Sequence, residues 1–197
     1  MLEKNNPKTL HAWCMYDWAN SVHALVIVST IFPPYFNSVA QNPNAVDGMK
    51  DYVDFLGFTL KNDVLFSYSI SFAFLLLVLI NPILTAIADY SGRKKLFMQI
   101  FVYIGSFSSL AMAFFGTETL SYLVLFFILS LVGYSGSIVF YNAYLPEIAS
   151  EDQYDKVSAR GFAMGYVGSV ILLIFNLSMF LFPALYVNVS SDNAAKI

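Results

Sequence analysis

The chain has 197 residues, of which 58% are hydrophobic, 17% aromatic and 12% charged, with a formal net charge of -3. A soluble domain needs more polar surface than that, and the charge pattern lacks the basic footprint of a nucleic-acid binder. A lone cysteine, Cys14, excludes an internal disulfide, and with only His11 and His23 beside it a structural metal site is not expected.

A bilayer core of about 30 Å is crossed by about 20 consecutive apolar residues in a helix. Windows free of Asp, Glu, Lys and Arg lie within 18–46 and over 64–88, 96–116, 120–145 and 161–191. They predict an all-α membrane protein with five transmembrane helices, at about 12–35, 64–88, 96–116, 120–145 and 161–186. Residues 1–11 form a short polar N-terminus. Pro33 and Pro34 end the first helix near Ile31 to Tyr35, and a start near Ala12 brings Asp17 into the membrane. This first span is retained rather than cleaved, because Ile31-Phe-Pro-Pro-Tyr-Phe36 is bulky where a signal peptidase needs small residues.

In the loop over 37–63, the aromatics of Tyr52-Val-Asp-Phe-Leu-Gly-Phe58 suit a headgroup region, so part of it is expected as an interfacial helix. Spans two and three are joined by Asp89-Tyr-Ser-Gly92-Arg93-Lys94-Lys95, a tight charged loop. Gly116-Thr-Glu-Thr119 is a minimal external turn, 146–160 a mostly acidic cytoplasmic segment and 187–197 an external tail. Lys and Arg near span ends favour the cytoplasm. Lys4, Lys8, Arg93, Lys94, Lys95, Lys156 and Arg160 share one side, against Lys50, Lys61 and Lys196 on the other, which places the N-terminus inside.

Asp89 ends span two, where the helix dipole disfavours an acid, so a basic side chain or a helix N-terminus must offset it. Gly92 permits the positive φ of a tight turn. Arg93 presents a planar fork, and Glu147, at the same side of span four, is its expected partner.

This loop resembles the signature between helices two and three of the major facilitator superfamily. Trp13-Cys-Met-Tyr-Asp-Trp-Ala-Asn-Ser21 with Ile31-Phe-Pro-Pro-Tyr-Phe36 is similar to the start of its branch of autophagy-related vacuolar amino acid exporters and their bacterial relatives. Tyr141-Asn-Ala-Tyr-Leu-Pro-Glu147 and Val157-Ser-Ala-Arg-Gly-Phe-Ala-Met-Gly-Tyr-Val-Gly168 match that branch too. The resemblance implies alternating access by two six-helix halves, in the plasma (inner) membrane for a bacterial relative. It implies an incomplete N-terminal half here, lacking a sixth helix and a second half whose helix the Asp89 carboxylate would cap. Thr85 stands where the superfamily loop usually has glycine, which implies a looser contact between halves.

On span one, Trp13, Asp17, Asn20 and Ala24 share a helical stripe with Ser21 beside it, and His23 lies one position away outside the site. An intramembrane acid either binds a proton or a solute ammonium group, or locks helices by hydrogen bonding to Asn20 or Ser21. Asn142 and Asn176 are amides that either line a solute pathway or join helices. Asn81 is expected to satisfy a carbonyl freed by Pro82. Gly161, Gly165 and Gly168 form a small-residue face for close packing.

The expected function is secondary transport of a small polar solute, such as an amino acid, with protons as the candidate coupling ion and no cofactor. Asp17, Asn20, Asn142 and Asn176 would line the pathway. Asp89, Gly92, Arg93, Lys94, Glu147 and Arg160 would form a cytoplasmic gate. The alternative is a membrane scaffold or sensor that keeps the fold without transport. An enzyme is not expected, since no nucleophile has a base partner and no phosphate loop is present.

Overall fold

The computed structural model describes residues 3–42, 49–182 and 185. Within them are five helices long and apolar enough to cross a membrane: Pro7–Val39, Asn62–Ser91, Lys94–Phe114, Thr117–Ile148 and Glu151–Leu181. The chain is an all-α membrane protein. Its fifth helix stops at Leu181, and the tail expected over 187–197 lies outside the described residues.

The first crossing has three parts. Asn6 caps α1 (Pro7–Val22) by accepting from the Lys8 amide at 3.0 Å, and Pro7 begins it where no amide partner is needed. A π-helical stretch, His23–Ile31, follows, and then α2 (Phe32–Val39). Pro33 and Pro34 therefore do not end the crossing. They occupy the first turn of α2, where a missing N–H breaks no ladder, and the helix continues past them to Val39.

The segment expected as an interfacial helix is instead an antiparallel hairpin of β1 (Tyr52–Phe55) and β2 (Phe58–Lys61). Alternation of Val53 and Phe55 with polar Asp54 has the period of a strand, and Leu56 (φ 50) and Gly57 (φ 85) make the two-residue turn. Val53, Phe55 and Leu60 pack on the core at this end of the bundle, among Phe32, Phe36, Phe66 and Phe127. Phe32 stacks on Phe127 with ring centroids 4.4 Å apart.

Chain order then gives α3 (Asn62–Ser91), α4 (Lys94–Ala111), α5 (Leu120–Ile148) and α6 (Tyr154–Leu181). α5 is the central column. Half of its apolar window (50%) is buried, against 11% for α3, whose Leu75, Val78, Leu79 and Ile83 are exposed as lipid-facing residues are.

α4 meets α5 through glycines. Gly105 and Gly133 bring the two backbones together, and a Cβ on Gly133 would collide with the Gly105 backbone and the Phe101 carbonyl. Gly136 seats the Phe101 ring. α1 packs on α6, and α3 packs on the side of α5. Pro82 lies inside α3, and Asn81 does not take up the freed carbonyl as expected: among the described residues its side chain makes no hydrogen bond, and its Oδ1 is buried without a partner.

Candidate functional site

Asp17 lies about 15 Å along a first crossing about 50 Å long. It faces α6. The glycine face of α6 is what admits it: a Cβ on Gly161 would stand 2.8 Å from the Trp13 ring, 3.1 Å from the Tyr141 hydroxyl and 3.5 Å from Asp17 Oδ2. One turn on, a Cβ at Gly165 would stand 2.5 Å from Ser21 Oγ and 3.3 Å from Asp17 Cγ, and Gly168 lies against Trp18. The small-residue face expected for close packing thus seats the acid-bearing side of α1.

Ser21 Oγ donates to Asp17 Oδ1 at 3.1 Å, so of the two expected partners it is Ser21 and not Asn20 that holds the carboxylate. No Lys or Arg among the described residues forms an ion pair with it. Trp13 Nε1 donates to the Tyr141 carbonyl at 3.1 Å while its ring stacks on Tyr141 with centroids 4.1 Å apart. Tyr16 also stacks on Tyr141, with centroids 4.9 Å apart. The tyrosines are what the sequence analysis missed. Tyr134, which lines a cavity with Ser21, and Tyr141 are seven apart on α5, a spacing that puts them on one face and could have flagged them.

The expected pathway residues are not gathered into one cavity. Asn20 turns away from Asp17 into a cavity of about 200 Å³ between the first crossing, α4 and α5. Asn176 lines a different one, with Val26, Ile31, Tyr35 and Met112, and donates to the Leu172 carbonyl of its own helix at 2.9 Å. Asn142 is exposed on α5, about half a turn from the glycines that face α4. Among the described residues, no cluster of three or more His, Cys, Asp or Glu is placed to hold a metal ion.

At the end of the bundle bearing the charged loop, Gly92 takes φ 64 and ends α3. Its amide reaches the Asp89 carbonyl at 3.3 Å, and the Arg93 amide reaches the Ala88 carbonyl at 3.1 Å. The turn delivers Lys94, not Arg93, to the acids: Lys94 Nζ lies 3.1 Å from Asp89 Oδ1 and 3.0 Å from Glu147 Oε1. Arg93 sits at the cap of α4 with its side chain exposed. Arg160 is also apart from this group, its Nη2 lying 3.4 Å from His11 Nδ1 on α1. Lys94 offsets Asp89 at the unfavourable helix end and ties α3, α4 and α5 together.

A half-buried acid in the first of five membrane helices among the described residues, with a charged turn clasped between the second and third, defines a member of the major facilitator class. Within it, the chain belongs to the family described as Vacuole effluxer Atg22 like, whose model matches residues 5–193. An uncharacterized MFS-type transporter, YxiO, of Bacillus subtilis is 35% identical over 178 residues, covering 90% of this chain and 39% of that protein. Autophagy-related protein 22 of Pyricularia oryzae is 25% identical over 71% of this chain and 23% of its own length. An uncharacterized protein of Aquifex aeolicus is 29% identical over 83% of this chain and 37% of its own length. The chain thus spans about two fifths or less of these relatives. No solved structure matches it.

Proposed function

We propose that this chain belongs to a secondary transporter that moves a small polar solute, an amino acid being the expected case, by alternating access and without covalent chemistry. The observation that carries the reading is Asp17: a carboxylate within a membrane crossing, held by one serine hydroxyl on a glycine face, with no basic partner among the described residues. A charge placed so is costly unless it is used, and a proton or a solute ammonium group would use it. In this reading the charged-loop end is cytoplasmic, by its excess of Lys and Arg, and the host is the plasma membrane. The partners are the bilayer, the solute, a coupling proton and the second half of the transporter.

Lys94 and its two acids are read as the cytoplasmic gate latch. The pairs are partly exposed, with side-chain exposures of 20%, 54% and 41% for Lys94, Asp89 and Glu147, so each contributes only about 0–1 kcal/mol. Lys94→Met should therefore leave thermal stability nearly unchanged yet shift the balance between inward- and outward-facing states. Spin-label distances across the cytoplasmic ends of the full-length protein measure this. A Lys94→Met protein with wild-type distances would remove the latch from the account.

The reading itself is tested by reconstituting the full-length protein into liposomes and following labelled amino acids. Accumulation or counterflow of at least one is expected. No flux above that of protein-free liposomes, for any solute offered, would favour a scaffold.

A further inference from the structure

A cavity of about 280 Å³ lies between the first crossing, α5 and α6. Ser21 lines it, and behind Ser21 stands Asp17, whose Oδ1 accepts the Ser21 hydrogen at 3.1 Å. Ser29, in the π-helical stretch, also lines it and donates to the Ala24 carbonyl at 2.8 Å. Each hydroxyl carries one hydrogen and has given it to its own crossing, so what remains for a ligand is lone pairs. A hydrogen-bond donor fits them, and an acceptor does not.

The aromatic part of the lining has the same sign. Phe162 and Tyr166 are four apart on one face of α6, 63% and 73% exposed, so their rings are open to a ligand. Tyr134 of α5 borders the cavity too and forms the wall toward the one that receives Asn20. Its ring is held in place by His23, which stacks on it with centroids 4.7 Å apart and planes 16° from parallel, while His23 Nε2 lies 2.5 Å from Ser130 Oγ. Aromatic faces attract cations. Among the described residues, no Lys, Arg or His lines the cavity.

Lone pairs, ring faces and a carboxylate one hydrogen bond behind the wall all favour a positively charged donor. A primary ammonium donating to Ser21 Oγ at about 3 Å would stand no more than about 6 Å from Asp17 Oδ1, within the reach over which a carboxylate favours a cation. A neutral donor meets the same lone pairs but gains nothing from the charge, and a carboxylate meets repulsion.

We propose that this cavity binds the ammonium group of the solute, with Ser21 as its hydrogen-bond acceptor, Tyr134 as its cation-π partner and Asp17 acting on it through the Ser21 hydroxyl. The proposal rests on the transport reading above and decides between the two uses of Asp17 in favour of the ammonium group.

Butylammonium is the probe, set against n-butanol and butyrate, which keep an alkyl chain but are neutral and anionic. In full-length protein labelled with fluorotyrosine, the fluorine resonance lost in Tyr166→Phe reports the cavity. It should move on adding butylammonium, stay in place with butyrate, and respond to n-butanol about tenfold more weakly. Ser21→Ala should weaken butylammonium by about tenfold. Tyr134→Leu should weaken it by about fivefold, and Tyr134→Phe, which keeps the ring, should bind it as the wild type does. No movement with butylammonium, an equal response to n-butanol, or unchanged binding in Ser21→Ala would overturn the site. Tyr134→Phe as weak as Tyr134→Leu, or n-butanol weakened alongside butylammonium in Tyr134→Leu, would overturn the cation-π role in favour of a structural one.

In liposomes, butylammonium should compete with labelled amino acid uptake, and n-butanol should not. If no amino acid is transported but the butylammonium shift is present, the transport reading fails and the ammonium site stands. Transport without that shift overturns the site alone.

Discussion

Asp17→Asn in the full-length protein is expected to abolish pH-driven uptake while leaving the fold intact. Asparagine has the volume of aspartate, so it fits the niche formed by Gly161 and Gly165, and its Oδ1 can still accept from Ser21. What it lacks is the charge and the proton. If Asp17 carries the coupling proton, counterflow should persist while the response to a proton gradient vanishes. If it holds a solute ammonium group, both should fall by about 10- to 100-fold, the worth of a charge-assisted hydrogen bond. Unchanged uptake with unchanged proton coupling would remove Asp17 from the mechanism.

Gly133→Ala should have the largest effect on folding. The added methyl would meet the Gly105 backbone and the Phe101 carbonyl, which cannot rotate away as a side chain can, so α4 and α5 must separate. Overpacking of this kind costs about 3 kcal/mol, a large share of a marginal stability. Gly116→Ala is the control, since a Cβ there has nothing within 4 Å and the glycine has φ -147, open to any residue. Thermal unfolding in detergent should show Gly133→Ala well below the wild type and Gly116→Ala level with it. Equal midpoints for all three would contradict the account of the α4 and α5 contact.

What the sequence revealed follows from what each signal measures. Charge-free windows report the cost of burying ions in lipid, which depends on no neighbour, and the five helices they predict match the five membrane-length helices of the described residues. The positive φ of Gly92 was equally local, a turn too tight for a side chain. Pro33 and Pro34 misled because proline breaks a helix only where an amide is needed, and the π-helical stretch supplies a new first turn. The hairpin was missed because aromatic residues at a membrane surface suit either structure, and the alternation around Asp54 is short.

The site was less legible, since it depends on which helices meet. Asp17 announced itself as an acid in an apolar run, but Tyr134 and Tyr141 on α5 are far from it in the sequence. Arg93 and Lys94 are adjacent bases, and only the turn at Gly92 decides which reaches Glu147. His23 looked solitary because Ser130 and Ser109 are unremarkable until folding places them within hydrogen-bond reach.

The central claim is a pathway that opens alternately to the two sides of the membrane, and Asn20, in a cavity midway along the bundle, reports it most directly. In the full-length protein with every native cysteine replaced, Asn20→Cys is exposed to a membrane-impermeant thiol reagent from one side and then from the other. Labelling from both sides is expected, with a transported solute changing the ratio between them. Labelling from one side only, at a ratio no solute alters, would contradict alternating access.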